Sequence, residues 1–83
     1  MIQTEFLRVV HLTQSISGAT DIYQVFSKKD SSCHFLLGFI KWYGPWRKYA
    51  FFPEPKTLFD NKCLTDLAGV LHKLTHDHKK KNK

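Results

Sequence analysis

The chain has 83 residues, of which 42% are hydrophobic and 14% aromatic, and 13 basic against 7 acidic side chains give a net charge of +6. This length accommodates one domain and leaves no room for a deep substrate cavity behind a complete core, while the apolar content excludes a wholly disordered chain. A positive net charge is typical of proteins that bind nucleic acid, provided that the charge lies on the surface of the folded domain.

The sequence shows neither a membrane-spanning run nor a secretory signal. It contains no stretch of about 20 apolar residues, and residues 1–5 lack the basic and apolar regions of a signal peptide. We therefore expect a cytoplasmic protein. In that reducing compartment Cys33 and Cys63 are expected to be buried or half-buried thiols rather than a disulfide.

The amino-terminal part predicts two strands. Residues 2–12 alternate weakly between apolar and polar side chains and include the β-branched pair Val9-Val10, which favours a first strand. Residues 13–20 are small and polar, with a glycine able to adopt a positive φ, and are expected to form a loop. Residues 21–29 predict a second short strand that ends in the turn sequence K-K-D-S-S.

The next segments, residues 33–43 and 46–52, flank the breaker pair Gly44-Pro45 and predict a β-hairpin. Pairing Tyr43 with Trp46 sorts the side chains onto two faces, since alternate residues of a strand point to opposite sides. One face then carries Leu36, Gly38, Ile40, Trp42, Arg47, Tyr49 and Phe51. The other carries Leu37, Phe39, Lys41, Tyr43, Trp46, Lys48, Ala50 and Phe52.

A carboxy-terminal helix follows the strand-breaking sequence Pro53-Glu54-Pro55. Asp60 or Asn61 is expected to cap it, and the helical spacing predicts a buried stripe made of Leu64, Leu67, Ala68, Leu71 and Leu74. The order is thus ββββα, an α+β fold in which about four antiparallel strands carry one helix on one face. We expect residues 1–78 to form the domain and residues 79–83 to be a flexible basic tail.

The sequence gives little support to catalysis or metal binding. His72 and His76 share one helix face but lack further ligands that converge on them, so no metal site and no cofactor are predicted. Neither cysteine forms a dyad with a histidine, the carboxylates are scattered, and phosphate-binding glycine loops are absent. We therefore expect a protein that is not an enzyme.

The hairpin is the strongest candidate for a binding site because its aromatic and cationic side chains interleave. A single helix covers only one side of the sheet, and an exposed face with Lys41, Tyr43, Trp46 and Lys48 would offer stacking rings beside phosphate-binding charges. The alternative is that these rings only staple the hairpin tip. The predicted nucleic-acid or partner-binding residues are Lys41, Trp42, Tyr43, Trp46, Arg47, Lys48 and Tyr49, with auxiliary charge from Lys79, Lys80, Lys81 and Lys83.

Most of the positive charge lies at the carboxyl end. Five lysines and one aspartate in residues 72–83 give +4, whereas eight basic and six acidic groups in residues 1–71 leave +2. A terminal charge run is commonly a solvated feature, so the nucleic-acid hypothesis depends on the hairpin itself.

Residues 40–49, I-K-W-Y-G-P-W-R-K-Y, continue into F-F-P at 51–53, L-F at 58–59 and C-L-T-D-L-A at 63–68. This W-Y-G-x-W-R-x-Y-x-F-x-P segment resembles small bacteriophage and prophage proteins without an assigned activity. The resemblance implies a phage origin, a host cytoplasm and an accessory binding role. It leaves two further alternatives open, a protein that inhibits host defence machinery such as a nuclease, and a homodimer.

Overall fold

The structure is a computed structural model that describes residues 2–28 and 36–81. A five-stranded antiparallel sheet in the order β1-β2-β3-β4-β5 precedes one long helix, so the predicted α+β class is confirmed with one strand more than expected. The elements are β1 (Ile2–Gln3), β2 (Leu7–Gln14), β3 (Asp21–Ser27), β4 (Leu36–Tyr43), β5 (Lys48–Pro53) and α1 (Asn61–Lys81). Each strand pairs with its neighbour in sequence because short connections favour an antiparallel meander.

The extra strand arises because a tight turn divides the single strand predicted over residues 2–12. The backbone N–H of Thr4 donates to Leu7 O at 2.9 Å, and the Thr4 hydroxyl oxygen accepts the Leu7 N–H at 2.9 Å. These bonds fold Ile2 back against Val9. Apolar alternation does not reveal the turn, since a threonine fits a strand as readily as it closes a turn.

The hairpin between β4 and β5 pairs Tyr43 with Lys48, so the predicted pairing of Tyr43 with Trp46 is wrong. The loop is longer than two residues because Gly44–Trp46 forms a 3-10 turn and Arg47 adopts a left-handed conformation with φ 53°. The offset is two residues, and side chains alternate with a period of two. The predicted faces of residues 38–43 and 48–52, which pair across the hairpin, therefore stay the same.

Helix α1 begins as predicted, because the Asp60 carboxylate accepts the Cys63 backbone N–H at 2.9 Å and caps the first turn. It continues through Lys81, three residues into the segment 79–83 for which a tail was expected. The predicted buried stripe is partly wrong, since Leu64 and Ala68 are exposed. The buried stripe that packs against the sheet is Cys63, Leu67, Val70 and Leu74, and Leu71 packs partly buried beside it.

The core lies between α1 and one face of the sheet. Leu7 and Val9 of β2, Val25 of β3 and Ile40 of β4 are at most 1% exposed. A bulge beside β3 turns Leu37 into this core and leaves Leu36 opposite Phe26 on the other side, which reverses the predicted faces of these two leucines. Cys63 is buried in the same layer, whereas Cys33 and most of the predicted turn at 28–32 lie outside the described residues.

Candidate nucleic-acid interface

The helix leaves the second face of the sheet uncovered. We call this surface the open face and define it by the strand residues that alternate with the core positions. The side chains of the open face are buried incompletely or exposed, in contrast to the core side. Its described residues include Gln3, Arg8, Val10, Thr13, Ile22, Gln24, Phe26, Leu36, Phe39, Lys41, Tyr43, Lys48, Ala50 and Phe52.

Cations and rings of the open face contact each other across the strands. The ammonium group of Lys41 lies 4.5 Å from the centroid of the Phe52 ring, and the guanidinium of Arg8 lies 5.6 Å from that of Phe26. Phe39 stands opposite Phe52 in the β4–β5 ladder. These contacts hold positive charge and π surface side by side, an arrangement that stabilises the face and also offers both groups to a ligand.

The hairpin tip extends this surface. The Tyr43 and Trp46 rings meet edge to face with centroids 4.8 Å apart, and Lys48 stands opposite Tyr43 in the ladder. Trp46 is 64% exposed, so much of its indole surface remains accessible. Lys41, Tyr43, Trp46 and Lys48, the four residues predicted to form one surface, therefore lie on the open face or at its tip.

Trp42 and Tyr49, the other two predicted aromatic residues, lie on the face that the helix covers. The Trp42 ring packs 5.4 Å from Tyr49 and 4.5 Å from the His78 ring of α1. Tyr49 is only 4% exposed, and its hydroxyl oxygen accepts the Asp21 backbone N–H at 3.2 Å. These two rings join β4, β5 and the helix, and they are not part of the open face.

The predicted cations divide between two places. Arg47 is exposed in the turn and lines a shallow depression with Trp42, His78 and Lys79 on the helix side. Lys79 and Lys80 are exposed on the last turns of α1. The backbone of Lys81 is helical, and Lys83 lies outside the described residues.

A polar cluster closes the core near the start of β3. His11 Nε2 and Asp21 Oδ1 lie within hydrogen-bond distance at 2.9 Å, and the rings of His11 and Tyr49 flank Tyr23 edge to face. Burial raises the pKa of Tyr23 to about 12, and the nearby negative charges of Asp21 and Asp77 add to this shift. Burial also raises the pKa of Tyr49. A phenol with a raised pKa stays neutral, which suits a packing role.

The described part of the chain contains no group of three His, Cys, Asp or Glu side chains positioned to hold a metal ion. His72 and His76 stack with ring centroids 6.4 Å apart on the exposed side of α1. In residues 2–28 and 36–81, no helix has the length and apolar content needed to cross a membrane.

The sequence-based set missed part of the open face. Phe39 and Phe52 form an aromatic pair across β4 and the edge strand β5, and Arg8 with Phe26 extends the face onto β2 and β3. Hairpin alternation indicates the first two, because they share a face with Lys41. Arg8 lies on the same surface as these two rings only because β2, β3, β4 and β5 follow one another in the sheet.

The fold and the interface define a small α+β protein whose sheet has one helix-covered face and one open face that is aromatic and basic. The chain is 33% identical over 76 residues to the "Uncharacterized 9.3 kDa protein" of Acholeplasma phage L2, and the alignment covers 92% of each chain. It belongs to the family of that phage protein. No protein-family model matches the chain, and no solved structure matches it.

Proposed function

We propose that this phage-type protein is a non-enzymatic accessory protein that binds nucleic acid in the host cytoplasm through the open face. The observation that carries the proposal is the uncovered combination of Lys41, Lys48 and the Phe39, Tyr43 and Phe52 rings. The described strand residues of this face include no carboxylate. The cations of this face would therefore meet a ligand with no acidic side chain among the described strand residues beside them.

The chemistry favours an unpaired strand. Bases of single-stranded nucleic acid stack on exposed rings, and their phosphates pair with neighbouring cations. Trp46 and Tyr43 are accessible at the tip, and Phe52 is 37% exposed on the edge strand β5. A stacked base is worth about 1–3 kcal/mol, so two or three such contacts suffice for measurable affinity.

A fluorescence-anisotropy titration with a labelled single-stranded oligonucleotide tests the proposal. The double variant Lys41→Gln/Lys48→Gln should flatten the dependence of log affinity on log salt by about 1.4, because about 0.7 is lost per phosphate contact. The matched control Lys62→Gln/Lys73→Gln removes two lysines from α1 and should leave the slope unchanged. No binding by the wild-type chain at low salt would refute the function.

A protein partner is the second candidate, and the exposure of Trp46 at the hairpin tip favours it. Tryptophan is enriched among residues that dominate binding at protein interfaces. A host protein, such as a defence nuclease, should then be captured from nuclease-treated lysate by the wild-type chain and lost with Trp46→Ala. Light scattering separates a third alternative, since a homodimer would double the mass in the absence of any host component.

A further inference from the structure

A groove of about 500 Å³ runs between the outer edge of β5 and helix α1. Lys48 lines one wall, and His72, His76 and Lys79 line the other. The Tyr49 backbone N–H donates to the Thr75 hydroxyl oxygen at 3.0 Å across the floor, so strand and helix are fixed to each other. The groove is therefore a feature of the packed fold.

The two imidazoles are arranged side by side along the helical wall. Their rings are nearly parallel, with an interplanar angle of 14° and centroids 6.4 Å apart. Residues four apart on a helix share a face, and Lys79 follows His76 by three positions on the same side. Three nitrogen-bearing side chains thus line one wall at successive turns.

The charged groups among the described residues that line the groove are all positive. From β5 the facing charged group is Lys48, from α1 it is Lys79, and the described lining includes no carboxylate. Asp77 lines a different depression, beside Asp21 and Tyr23. An anion in the groove would meet two ammonium groups and two imidazoles. Imidazole is the side-chain group that can gain a positive charge near neutral pH.

The groove is continuous with the surfaces described above. Lys48 belongs both to the groove and to the open face, because β5 is the edge strand of the sheet. Lys79 also lines the depression that contains Arg47 at the hairpin tip. A polymer that lies on the open face can pass the tip and enter the groove without leaving positive surface.

We propose that this groove holds the phosphate backbone of a bound nucleic acid, and that protonation of His72 and His76 strengthens the binding. The proposal rests on the proposed function, since it extends the path of the same ligand. A phosphate between the imidazoles and the two lysines offsets the mutual repulsion of the four groups, so protons and nucleic acid bind cooperatively. Affinity should rise as the pH falls from 8 to 6.

The test measures anisotropy of a labelled oligonucleotide of about 15 unpaired nucleotides at pH 6 and pH 8 and low salt. The wild-type chain should bind about tenfold more tightly at pH 6, because up to two phosphate contacts are added. His72→Gln/His76→Gln should reduce this ratio to less than about threefold, with little change at pH 8. Both side chains are exposed, so the variant is expected to fold, which circular dichroism verifies.

Lys79→Gln provides the second measurement, with Lys73→Gln on the opposite side of the helix as its control. The Lys79 variant should lower the salt slope by about 0.7, and the Lys73 variant should leave it unchanged. A double-histidine variant that keeps the full pH ratio, or equal slopes for both lysine variants, overturns the groove while leaving binding at the open face intact. A wild-type chain that does not bind overturns both.

Discussion

Gly38 lies where β4 and β5 approach each other closely. A β-carbon at this position would lie 2.4 Å from Phe52 O and 2.8 Å from Pro53 Cα, and both atoms belong to backbone that cannot move aside. A β-carbon at Gly69, on the exposed side of α1, would meet nothing within 4 Å. Replacement of glycine by alanine should therefore change the stability in opposite directions at Gly38 and Gly69.

We predict that Gly38→Ala lowers the free energy of unfolding by about 2 kcal/mol or more, the cost of forcing atoms into a packed region. Gly69→Ala should raise it by about 1 kcal/mol, the difference in helix propensity. Urea unfolding followed by circular dichroism measures both changes. A Gly38→Ala variant as stable as the wild type would contradict the close packing of the two strands.

The raised pKa of Tyr23 predicts a loss of stability in alkaline solution. Its pKa is raised from 10.0 to about 12 in the folded chain, so between these values the unfolded chain releases a proton that the folded chain keeps. The free energy of unfolding should fall from about pH 10 to about pH 12 and be unaffected by this group below pH 10. Tyr23→Phe should weaken that fall.

The ultraviolet absorbance of tyrosinate checks this prediction directly. The Tyr23→Phe variant should lack a titration step near pH 12 that the wild-type chain shows. The prediction fails if the step that disappears lies near pH 10, because the phenol would then behave as a solvated one.

At the scale of elements, the contact between β5 and α1 determines how the edge of the sheet is closed. Thr75 accepts the Tyr49 N–H at 3.0 Å, which satisfies an outward-pointing donor of an edge strand. Thr65 lies on the same helix, but its hydroxyl donates to Asn61 O within the helix. The two threonines form a matched pair.

Thr75→Val should lower the free energy of unfolding by about 1–2 kcal/mol, because the Tyr49 N–H loses its acceptor while the shape of the side chain is kept. Thr65→Val should change it by less than about 0.5 kcal/mol, as expected for an exposed position. Thermal unfolding monitored by circular dichroism compares them. Equal effects of the two substitutions would contradict a role of Thr75 in joining helix and sheet.

Much of this architecture can be predicted from local sequence. The strand at 21–27, the Asp60 cap, the end of the sheet at Pro53 and the alternation of the hairpin all follow from residue chemistry that acts over a few positions. The hairpin offset leaves the faces unchanged because it is an even number of residues. Local rules thus suffice for most of the elements and for most of their sidedness.

Properties that depend on contacts distant in sequence were not predicted. The division of the first strand depends on the Thr4 turn, and the buried helix stripe shifts to Cys63 and Val70 because the sheet determines which side packs. The candidate site was incomplete for the same reason. The helix covers the hairpin face that carries Trp42 and Tyr49, and this separates both rings from the open face. No local sequence pattern indicates which face the helix covers.

At the scale of the whole molecule, several carboxylates are engaged on the helix side. Asp60 caps α1, Asp66 accepts the Phe6 backbone N–H at 3.0 Å, and Asp21 pairs with His11. The charged residues among the described strand positions of the open face are all cations, with Lys41 and Lys48 at the hairpin. The carboxylates of α1 lie instead among the lysines of the same helix, so both surfaces can attract a polyanion and the open face does so without acidic strand residues beside its cations.

The most direct test of nucleic-acid binding by the open face is the map of amide chemical-shift changes during titration with a single-stranded oligonucleotide. The largest changes are expected at Phe39, Lys41, Tyr43 and Phe52, continuing past Lys48 to the carboxyl half of α1. Residues on the opposite side of the helix, such as Asp66 and Lys73, should stay unchanged. Changes confined to that opposite side, or no changes at all, would contradict binding at the open face.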